Sequence, residues 1–261
     1  MRIAALLAAI TLAAAGIAVA VVLLTRPTHP SGPKLDVPIL MYHRIGSLPP
    51  NPPDMLARLT VQPRVFAAQM TWLARHGFHA ITPQQLYDAL ERKQPLPSRP
   101  VLITFDDGYR DVLFNAEPVL HRLGMPATAF VITGRISGPD PSFFTWQQLR
   151  DLERDGFTVG SHTVDHAKLT DLSAARVIAE LKQSRSALEQ NLGHAVPWFA
   201  YPYGATNDAV TAQVGRAGYR LAFTTQRGSA QYRRAPLLLE RYEIARSDGL
   251  AGFVTLLHSR K

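Results

Sequence analysis

Two adjacent carboxylates, Asp106 and Asp107, come directly after a run of apolar and β-branched residues at 101–105. Such a run is typical of a buried strand, on which neighbouring side chains point to opposite faces. Gly108 follows at once and permits a sharp change of backbone direction, so both carboxylates could turn toward one site. Two carboxylates this close repel each other, and one stays ionised only with a cation beside it or with a raised pKa on its partner. The pair therefore indicates a cation site, with a plain Asp-Asp-Gly surface turn as the alternative.

A second candidate cluster, His162 and His166, follows a strand predicted at 157–160. If the segment forms a helical turn, this spacing places both rings on one face, with Cβ atoms about 5–6 Å apart. A histidine pair alone is more often an exposed helix face than a ligand pair. Together with one aspartate, however, two histidines with open coordination positions are typical of a catalytic metal site. Zinc suits these ligands best, and iron, cobalt or nickel could take the same place.

The aspartate that does not bind the metal would lie where it can take a proton from an activated water molecule. The residues alone leave open which of Asp106 and Asp107 is the ligand. Asp165, between the two histidines, either orients one ring through a hydrogen bond or faces solvent. These residues together predict metal-assisted hydrolysis.

Strand and helix signals alternate about seven times along the chain, which predicts a parallel sheet wrapped by helices. The polar candidates lie where predicted strands end, and in a barrel of alternating strands and helices that rim carries the chemistry. No glycine-rich phosphate-binding pattern opens a helix, so a nucleotide-binding fold is disfavoured. We therefore expect an α/β barrel. The four prolines at 47–62 predict a loop over one end of it, and a helix is expected at 115–123.

Composition narrows the possible classes of function. The chain has 261 residues, of which 46% are hydrophobic and 18% charged, enough for one sizeable core. Cysteine is absent, which excludes disulfides, thiolate metal sites and a cysteine nucleophile. The net charge of +8 is scattered, and no nucleic-acid motif accompanies it. We interpret the charge as a surface bias and expect no nucleic-acid partner.

The first residues predict a membrane or export segment. Residues 3–25 are uncharged and mostly apolar, and a helix of this length reaches about 35 Å, enough for a bilayer core of about 30 Å. The segment is a signal anchor, or a signal peptide cleaved near Ala18-Val19-Ala20; the anchor is favoured because the apolar run continues beyond that point. The predicted organisation is thus a signal segment at 1–25, a linker at 26–36 and an extracytoplasmic catalytic domain at 37–261.

Three segments resemble the successive motifs of the polysaccharide deacetylases (NodB-homology domain, carbohydrate esterase family four). They are Thr-Phe-Asp-Asp-Gly at 104–108, Ser-His-Thr-Val-Asp-His at 161–166 and Tyr-Pro-Tyr-Gly at 201–204. Order and spacing match, and the resemblance covers roughly residues 35–250. It implies a distorted (β/α)7 barrel and metal-dependent removal of N-acetyl groups from N-acetylglucosamine polymers.

The resemblance also implies roles for individual residues. By motif position, Asp106 is the implied catalytic base, and Asp107, His162 and His166 are the implied metal ligands. The backbone N–H of Tyr203 is the implied donor to the oxyanion, alongside the metal.

Two positions depart from the family pattern. The third motif usually carries an arginine that braces the base, and here Ala200 stands at that position. Arg241 and Arg110 are candidate replacements. The family's late Leu-x-His, whose histidine protonates the leaving amine, matches Leu256-Leu257-His258 in letters only, and we expect His258 to be an ordinary histidine at a helix end.

A different histidine offers that proton. Met41-Tyr42-His43-Arg44 and Phe-Ala-Tyr-Pro-Tyr-Gly at 199–204 resemble the biofilm-type poly-β-1,6-N-acetylglucosamine deacetylases, in which the acidic histidine comes from the N-terminal side. The resemblance implies that His43 is the general acid, and a pKa near 6.5 suits that role. The alternative is a hydrogen-bonded histidine at a strand end.

The predicted function is therefore N-deacetylation of an extracytoplasmic N-acetylglucosamine polymer, with poly-β-1,6-N-acetylglucosamine favoured. Peptidoglycan or chitin oligomers are the alternative substrates, and ester cleavage on acetylated glycans is a related activity. A glycan-binding protein that has lost turnover is an alternative of another class, kept open by Ala200. Four aromatic residues could offer a surface for a sugar ring, and of these the pair Phe143 and Phe144 is expected to be exposed; the others are Trp146 and Trp198.

Overall fold

Parallel strands dominate the part of the chain that the computed structural model describes, residues 32–258. In chain order the strands of this part are β1 (Lys34–Asp36), β2 (Ile39–Tyr42), β3 (Arg44–Ile45), β4 (Thr60–Val61), β5 (His79–Ala80), β6 (Pro100–Phe105), β7 (Ala127–Val131), β8 (Phe157–Ser161), β9 (Trp198–Ala200), β10 (Leu221–Arg227), β11 (Ala230–Tyr232) and β12 (Leu239–Glu243). Seven of them form a closed ring in the order β2, β6, β7, β8, β9, β10, β12, and β12 pairs back with β2. The predicted α/β barrel of the (β/α)7 type is confirmed.

Helices connect most of the barrel strands. Within the same residues they are α1 (Asp54–Leu59), α2 (Pro63–Arg75), α3 (Pro83–Glu91), α4 (Asp111–Asn115), α5 (Glu117–Leu123), α6 (Trp146–Arg154), α7 (Ala174–Leu192), α8 (Asp208–Arg216) and α9 (Gly249–His258). Thr82 and Thr145 form capping boxes at α3 and α6, and Asn207 caps α8. Every pair of neighbouring strands in the ring is parallel, so the carboxyl ends of all seven meet at one rim.

The barrel strands are apolar on both faces because both faces are buried. In β2, Ile39 belongs to one hydrophobic cluster and its neighbour Leu40 to another, and Leu102 and Ile103 of β6 divide in the same way. A side chain at Gly160 would have its Cβ 2.5 Å from the ring of Phe130. This position therefore needs glycine to leave room for that ring in the core.

Three local predictions differ from the structure. The predicted loop at 47–62 contains α1 and β4, and β4 pairs with β3. α1 has only six residues and buries none of them, so its short apolar pattern did not outweigh the four prolines before it. The helix predicted at 115–123 is two short helices, since α4 already begins at Asp111 and α5 starts anew at Glu117. Finally, 34–36, expected to belong to the linker, forms β1 and pairs antiparallel with β11, almost 200 residues away.

The predicted apolar segment at 3–25 lies outside the described residues. Within 32–258, no helix is both long enough and apolar enough to cross a membrane. The signal anchor or signal peptide, and the domain organisation that depends on it, remain predictions.

Candidate active site

The predicted site residues come together at the carboxyl rim of the barrel. A cavity of about 490 Å³ opens there. It is lined, among others, by His43 after β2, Asp106 and Asp107 after β6, His162 and His166 after β8, and Tyr203 after β9. Residues up to 160 positions apart in the sequence thus share one cavity, because each follows the end of a neighbouring strand.

The turn after β6 separates the tasks of the two aspartates. Asp107 and Gly108 both have positive φ, 74° and 84°. This left-handed backbone ends the regular strand, in which successive side chains point to opposite faces. A Cβ on Gly108 would lie 3.1 Å from the side chain of Val131. Glycine therefore allows the turn both its conformation and its close packing on β7.

The two histidines converge through an irregular loop and not through a helical turn. Thr163 and His166 have positive φ, 68° and 58°, and the segment after β8 is not helical. The ring centroids of His162 and His166 are 4.8 Å apart. The expected proximity is thus present, whereas the expected local conformation was wrong, because left-handed residues instead of a helix direct the chain.

Asp107, His162 and His166 have the arrangement of a metal site. One potential ligand atom from each lies within 4.8 Å of the others. Oδ1 of Asp107 is 3.5 Å from Nε2 of His162 and 3.4 Å from Nε2 of His166. Among the described residues this buried oxygen has no hydrogen-bond partner. A buried carboxylate oxygen between two imidazole nitrogens fits a divalent cation such as zinc.

In both histidines Nδ1, the ring nitrogen farther from Asp107, also has a polar neighbour. Nδ1 of His162 lies 2.8 Å from the carbonyl oxygen of Ala200, to which a protonated Nδ1 donates, so that Nε2 is available to a cation beside Asp107. Nδ1 of His166 lies 3.2 Å from the hydroxyl of Tyr203. The backbone carbonyl of Ala200 therefore orients the ring of His162, although this position does not carry the arginine of the family pattern.

Glu180 on α7 holds the histidine loop, and sequence reasoning did not identify it. Its carboxylate is buried and accepts hydrogen bonds from the backbone N–H of Val164 (2.9 Å) and of Asp165 (3.1 Å). The side chain of Asp165 is exposed and lies 3.5 Å from Arg176. Of the two roles considered for Asp165, the structure therefore shows the surface one. The feature that distinguishes Glu180 is its burial: α7 buries few polar residues, and this one is a glutamate whose carboxylate faces a loop.

Arg241 of β12 binds Asp106 with both arms of its guanidinium. The distances are 2.8 Å from Nη1 to Oδ1 and 2.7 Å from Nη2 to Oδ2, and both side chains are buried. Nε of Arg241 donates to the carbonyl of Thr224, which fixes the fork. Of the two candidate replacements for the missing arginine, Arg241 is the one in contact, whereas the guanidinium of Arg110 lies over the ring of Phe114.

These contacts set the charges of the site. Burial alone would raise the pKa of Asp106, but Arg241 and then His162 hold it below its usual range. Burial likewise opposes ionisation of Asp107, yet contact with His162 lowers its pKa to about 2. Burial and the neighbouring His162 lower the pKa of His166 to about 4. Burial opposes protonation of His162, but Asp107 and Asp106 raise its pKa. Both carboxylates are thus anionic and His166 is neutral near pH 7, whereas His162 gives up its proton more readily when a cation is bound.

The two candidate acid histidines are in different places. His43 lines the cavity, and its buried Nδ1 has no hydrogen-bond partner among the described residues. His258, at the end of α9, is exposed and has Nδ1 2.9 Å from the carbonyl of Val254. His258 is therefore a histidine at a helix end, as expected, and His43 is the one beside the carboxylates.

Tyr203 stands at the rim in a left-handed conformation, with φ 59° and ψ 8°. Its side chain is 64% exposed and its ring lies 4.6 Å from that of His166. Gly204 follows with φ 65°, and a Cβ there would lie 2.0 Å from Oγ1 of Thr225. The third motif thus forms a tight turn over the metal site.

The aromatic residues considered for sugar contact are mostly core. Phe144 and Trp198 are buried, and Trp146 packs against the core. Phe143 alone of the four lines the catalytic cavity. The expectation of an exposed pair at Phe143 and Phe144 was therefore wrong for Phe144.

A closed parallel barrel with two histidines and two carboxylates at its carboxyl rim is typical of a hydrolase, and comparison with known proteins identifies the family. The family model of the polysaccharide deacetylases matches residues 93–222. YxkH of Bacillus subtilis (strain 168), named as a member of that family, is 32% identical over 216 residues, 83% of this chain and 73% of YxkH. The chain belongs to the polysaccharide deacetylase family.

Two further relatives are informative. The poly-β-1,6-N-acetyl-D-glucosamine N-deacetylase of Staphylococcus aureus (strain MSSA476) is 29% identical over 174 residues, 62% of this chain and 59% of that protein. The chain thus spans less than two thirds of that relative. The Streptococcus pyogenes deacetylase PplD, solved in complex with acetate, superimposes with a TM-score of 0.80 at 29% identity, covering 86% of this chain and 99% of PplD.

Proposed function

We propose that this protein removes N-acetyl groups from an N-acetylglucosamine polymer, with poly-β-1,6-N-acetylglucosamine as the favoured substrate, and that it requires a divalent metal, zinc above all. The observation that carries the proposal is the division of the carboxylate pair. Asp107 faces two histidines, whereas Asp106 is held by Arg241 in ionised form in the same cavity. A metal site with a spare anionic base is what amide hydrolysis by water needs.

Asp107, His162 and His166 would hold the metal, which when bound supplies a Lewis acid for the acetamide carbonyl and lowers the pKa of water. Asp106 takes the proton of the water that attacks the carbonyl carbon. The backbone N–H of Tyr203 donates to the carbonyl oxygen as negative charge develops there. His43 then gives a proton to the nitrogen as the carbon–nitrogen bond breaks. The products are acetate and a free amine on the sugar.

Arg241 has a positioning role in this scheme. Its two hydrogen bonds fix the plane of the Asp106 carboxylate, and its charge keeps that carboxylate deprotonated. Because Arg241 supplies the brace, Ala200 is no reason to assume lost turnover, and catalysis is favoured over the glycan-binding alternative.

The choice of substrate is supported by the relatives and by the place of His43. A relative at 29% identity is named as acting on poly-β-1,6-N-acetylglucosamine, and in this chain the candidate acid comes from the N-terminal side of the barrel. Peptidoglycan and chitin oligomers are the competing substrates. We also propose an extracytoplasmic location, membrane-bound or secreted, which is based on the apolar segment at 3–25.

Acetate release from three substrates tests the proposal: β-1,6-linked N-acetylglucosamine oligomers, chitin oligomers of equal length, and peptidoglycan. We expect release with the highest kcat/KM on the β-1,6-linked oligomers, and little release from any substrate with Asp106→Asn. A preference for chitin or peptidoglycan would change the proposed substrate but leave the proposed deacetylation unchanged. No release from any glycan by a protein that still binds metal would favour the glycan-binding alternative.

A further inference from the structure

A second large cavity, the amino-end cavity, lies at the end of the barrel opposite the catalytic site. Its volume is about 500 Å³, close to the 490 Å³ of the catalytic cavity. Thr158 of β8 and Trp198 of β9 line it near the starts of their strands, and Arg220 lines it directly before β10. The two cavities share no described residue, so the proposed deacetylation does not account for this one.

The charged side chains that line the amino-end cavity are basic. They are Arg185 of α7, His194 in the loop after α7, and Arg220. No acidic residue of the described chain lines it. Nε2 of His194 lies 3.0 Å from the carboxylate of Glu153, and this contact raises the pKa of His194 and favours its charged form. The lining therefore suits an anion.

Arg185 is held in place before any ligand binds. Its Nε donates to Oε1 of Glu189 at 2.7 Å, and its Nη1 donates to the carbonyl oxygen of Ala217 at 2.5 Å. Nη2 makes no hydrogen bond within residues 32–258 and remains as a donor for a ligand. A Cβ on Gly218 would lie 2.0 Å from Nη1, so glycine leaves the guanidinium its place at the wall. A donor that is already fixed loses little conformational freedom when it binds an anion.

Arg220 supplies a positive charge that no described carboxylate balances. Its side chain is exposed, and its guanidinium lies 5.5 Å from the ring centre of Tyr87. It forms no ion pair with any residue in 32–258, whereas Arg185 is paired with Glu189. That glutamate does not line the cavity. An anion in the cavity would therefore meet an unpaired guanidinium beside a fixed one.

A phosphate group fits these donors better than a carboxylate does. It carries a charge of about −1.5 to −2 near pH 7 and three strong acceptor oxygens, and the arginine fork matches phosphate geometry. Gln84 at the start of α3 and Thr158 add an amide and a hydroxyl to the same lining. The cavity is larger than a phosphate group alone requires, and Trp198 and Pro197 offer an apolar surface to an attached organic group.

We propose that the amino-end cavity binds a small phosphate ester, with the phosphate group held by Arg220 and Arg185. The proposal goes beyond the proposed function and does not assume it, because the site lies at the other end of the barrel and uses different residues. A glycerol phosphate and a sugar phosphate present the same group to the two arginines. The organic part of the ester then decides which of them binds more tightly.

Isothermal titration calorimetry of the full chain tests the site with inorganic phosphate, glycerol 3-phosphate, N-acetylglucosamine 1-phosphate and acetate. Arg220→Gln removes the unpaired charge. Gln84→Glu adds a carboxylate to the lining at the first turn of α3, where negative charge is compatible with the helix. Arg216→Gln is the matched control, since this exposed arginine of α8 does not line the cavity.

We expect at least one of the two esters to bind more tightly than inorganic phosphate, and acetate to bind more weakly than either ester. Arg220→Gln and Gln84→Glu should each weaken ester binding about tenfold or more, the scale of a hydrogen bond to a charged group. Arg216→Gln should leave ester binding unchanged. None of the three substitutions should alter acetate release from N-acetylglucosamine oligomers.

Absence of ester binding, or acetate binding as tight as that of the esters, would overturn the proposal. Inorganic phosphate that binds as tightly as both esters would overturn the assignment to an ester. Ester binding that Arg220→Gln leaves intact would also overturn the site, and its loss on treatment with a chelator would place the phosphate in the catalytic cavity. Failure of the proposed function gives a different result, namely no acetate release from any glycan while ester binding is retained.

Discussion

The guanidinium of Arg241 and the carboxylate of Asp106 form two parallel hydrogen bonds, at 2.8 and 2.7 Å, buried at the carboxyl rim of the barrel. The two residues are 135 positions apart in the sequence. They meet because β2 pairs with both β6 and β12 when the ring closes, so the strands that carry them lie near each other. In the family pattern an arginine at the position of Ala200 braces the base. Here the brace comes from a different strand.

Arg241→Lys should lower kcat/KM by about tenfold to hundredfold, because it keeps a charge but cannot form the fork. Arg241→Met should lower kcat/KM further. It should also destabilise the fold by about 3–5 kcal/mol, since it leaves a buried carboxylate without its cation. In both variants the pKa of Asp106 rises, so the acidic limb of kcat/KM moves to higher pH. A pH–rate profile checks this, and an unmoved acidic limb would contradict the proposed role of Arg241.

His43→Gln should reduce kcat by about 10²–10⁴-fold, the usual contribution of a general acid. His258→Gln provides the matched comparison, because His258 fits the letters of the family's late histidine but lies exposed at the end of α9. The activity of His258→Gln should remain within twofold of that of the parent protein. Equal losses in the two variants, or a loss only at His258, would show that the acid was assigned to the wrong histidine.

Glu180→Ala should weaken metal binding about tenfold or more, the usual effect of groups that position ligands. The reason is that the N–H groups of Val164 and Asp165 lose their acceptor and no longer hold the loop of His166. Zinc titration with a competing chelator measures the affinity. Asp165→Asn is the control, since that carboxylate lies on the surface beside Arg176, and a larger effect there than at Glu180 would contradict this account.

Gly204→Ala should destabilise the protein more than Gly193→Ala. Both glycines have positive φ, 65° and 80°, so alanine strains either backbone by about 1–2 kcal/mol. Only at Gly204 does the added Cβ also meet a neighbour, Oγ1 of Thr225 at 2.0 Å, whereas Gly193 has nothing within 4 Å. Urea unfolding measures the difference, and equal destabilisation would mean that the turn at Tyr203 adjusts freely.

The sequence allowed the barrel and the cluster of candidate metal ligands to be predicted because those signals are local, whereas the choice of Asp107 over Asp106 as ligand was implied only by the family resemblance. Buried strands, capped helices and the polar residues after β6 and β8 are each visible within a few residues of the chain. The fork between Arg241 and Asp106 is not, because it depends on closure of the ring, and Arg110 was an equal candidate before that closure was known. The left-handed residues Thr163 and His166 were missed for a different reason, since buried Glu180 on the following helix holds their loop through contacts that no residue pattern marks.

Two other differences have the same origin. Helix α1 has only six residues and buries none of them, so its apolar pattern is short, and its neighbouring prolines predicted a loop. Strand β1 was assigned to the linker because its partner β11 lies far away along the chain. Elements stabilised mainly by distant parts of the chain leave the weakest signals in the sequence.

The most direct test of the central claim combines metal and base in one assay of acetate release from β-1,6-linked N-acetylglucosamine oligomers. Protein stripped of metal by a chelator should lose its activity and regain it with stoichiometric zinc. Asp106→Asn should bind zinc equally well and remain at least about 100-fold less active, because it lacks the base, while His166→Ala should fail to retain zinc on dialysis. Full activity of the stripped protein, or of Asp106→Asn, would contradict the account.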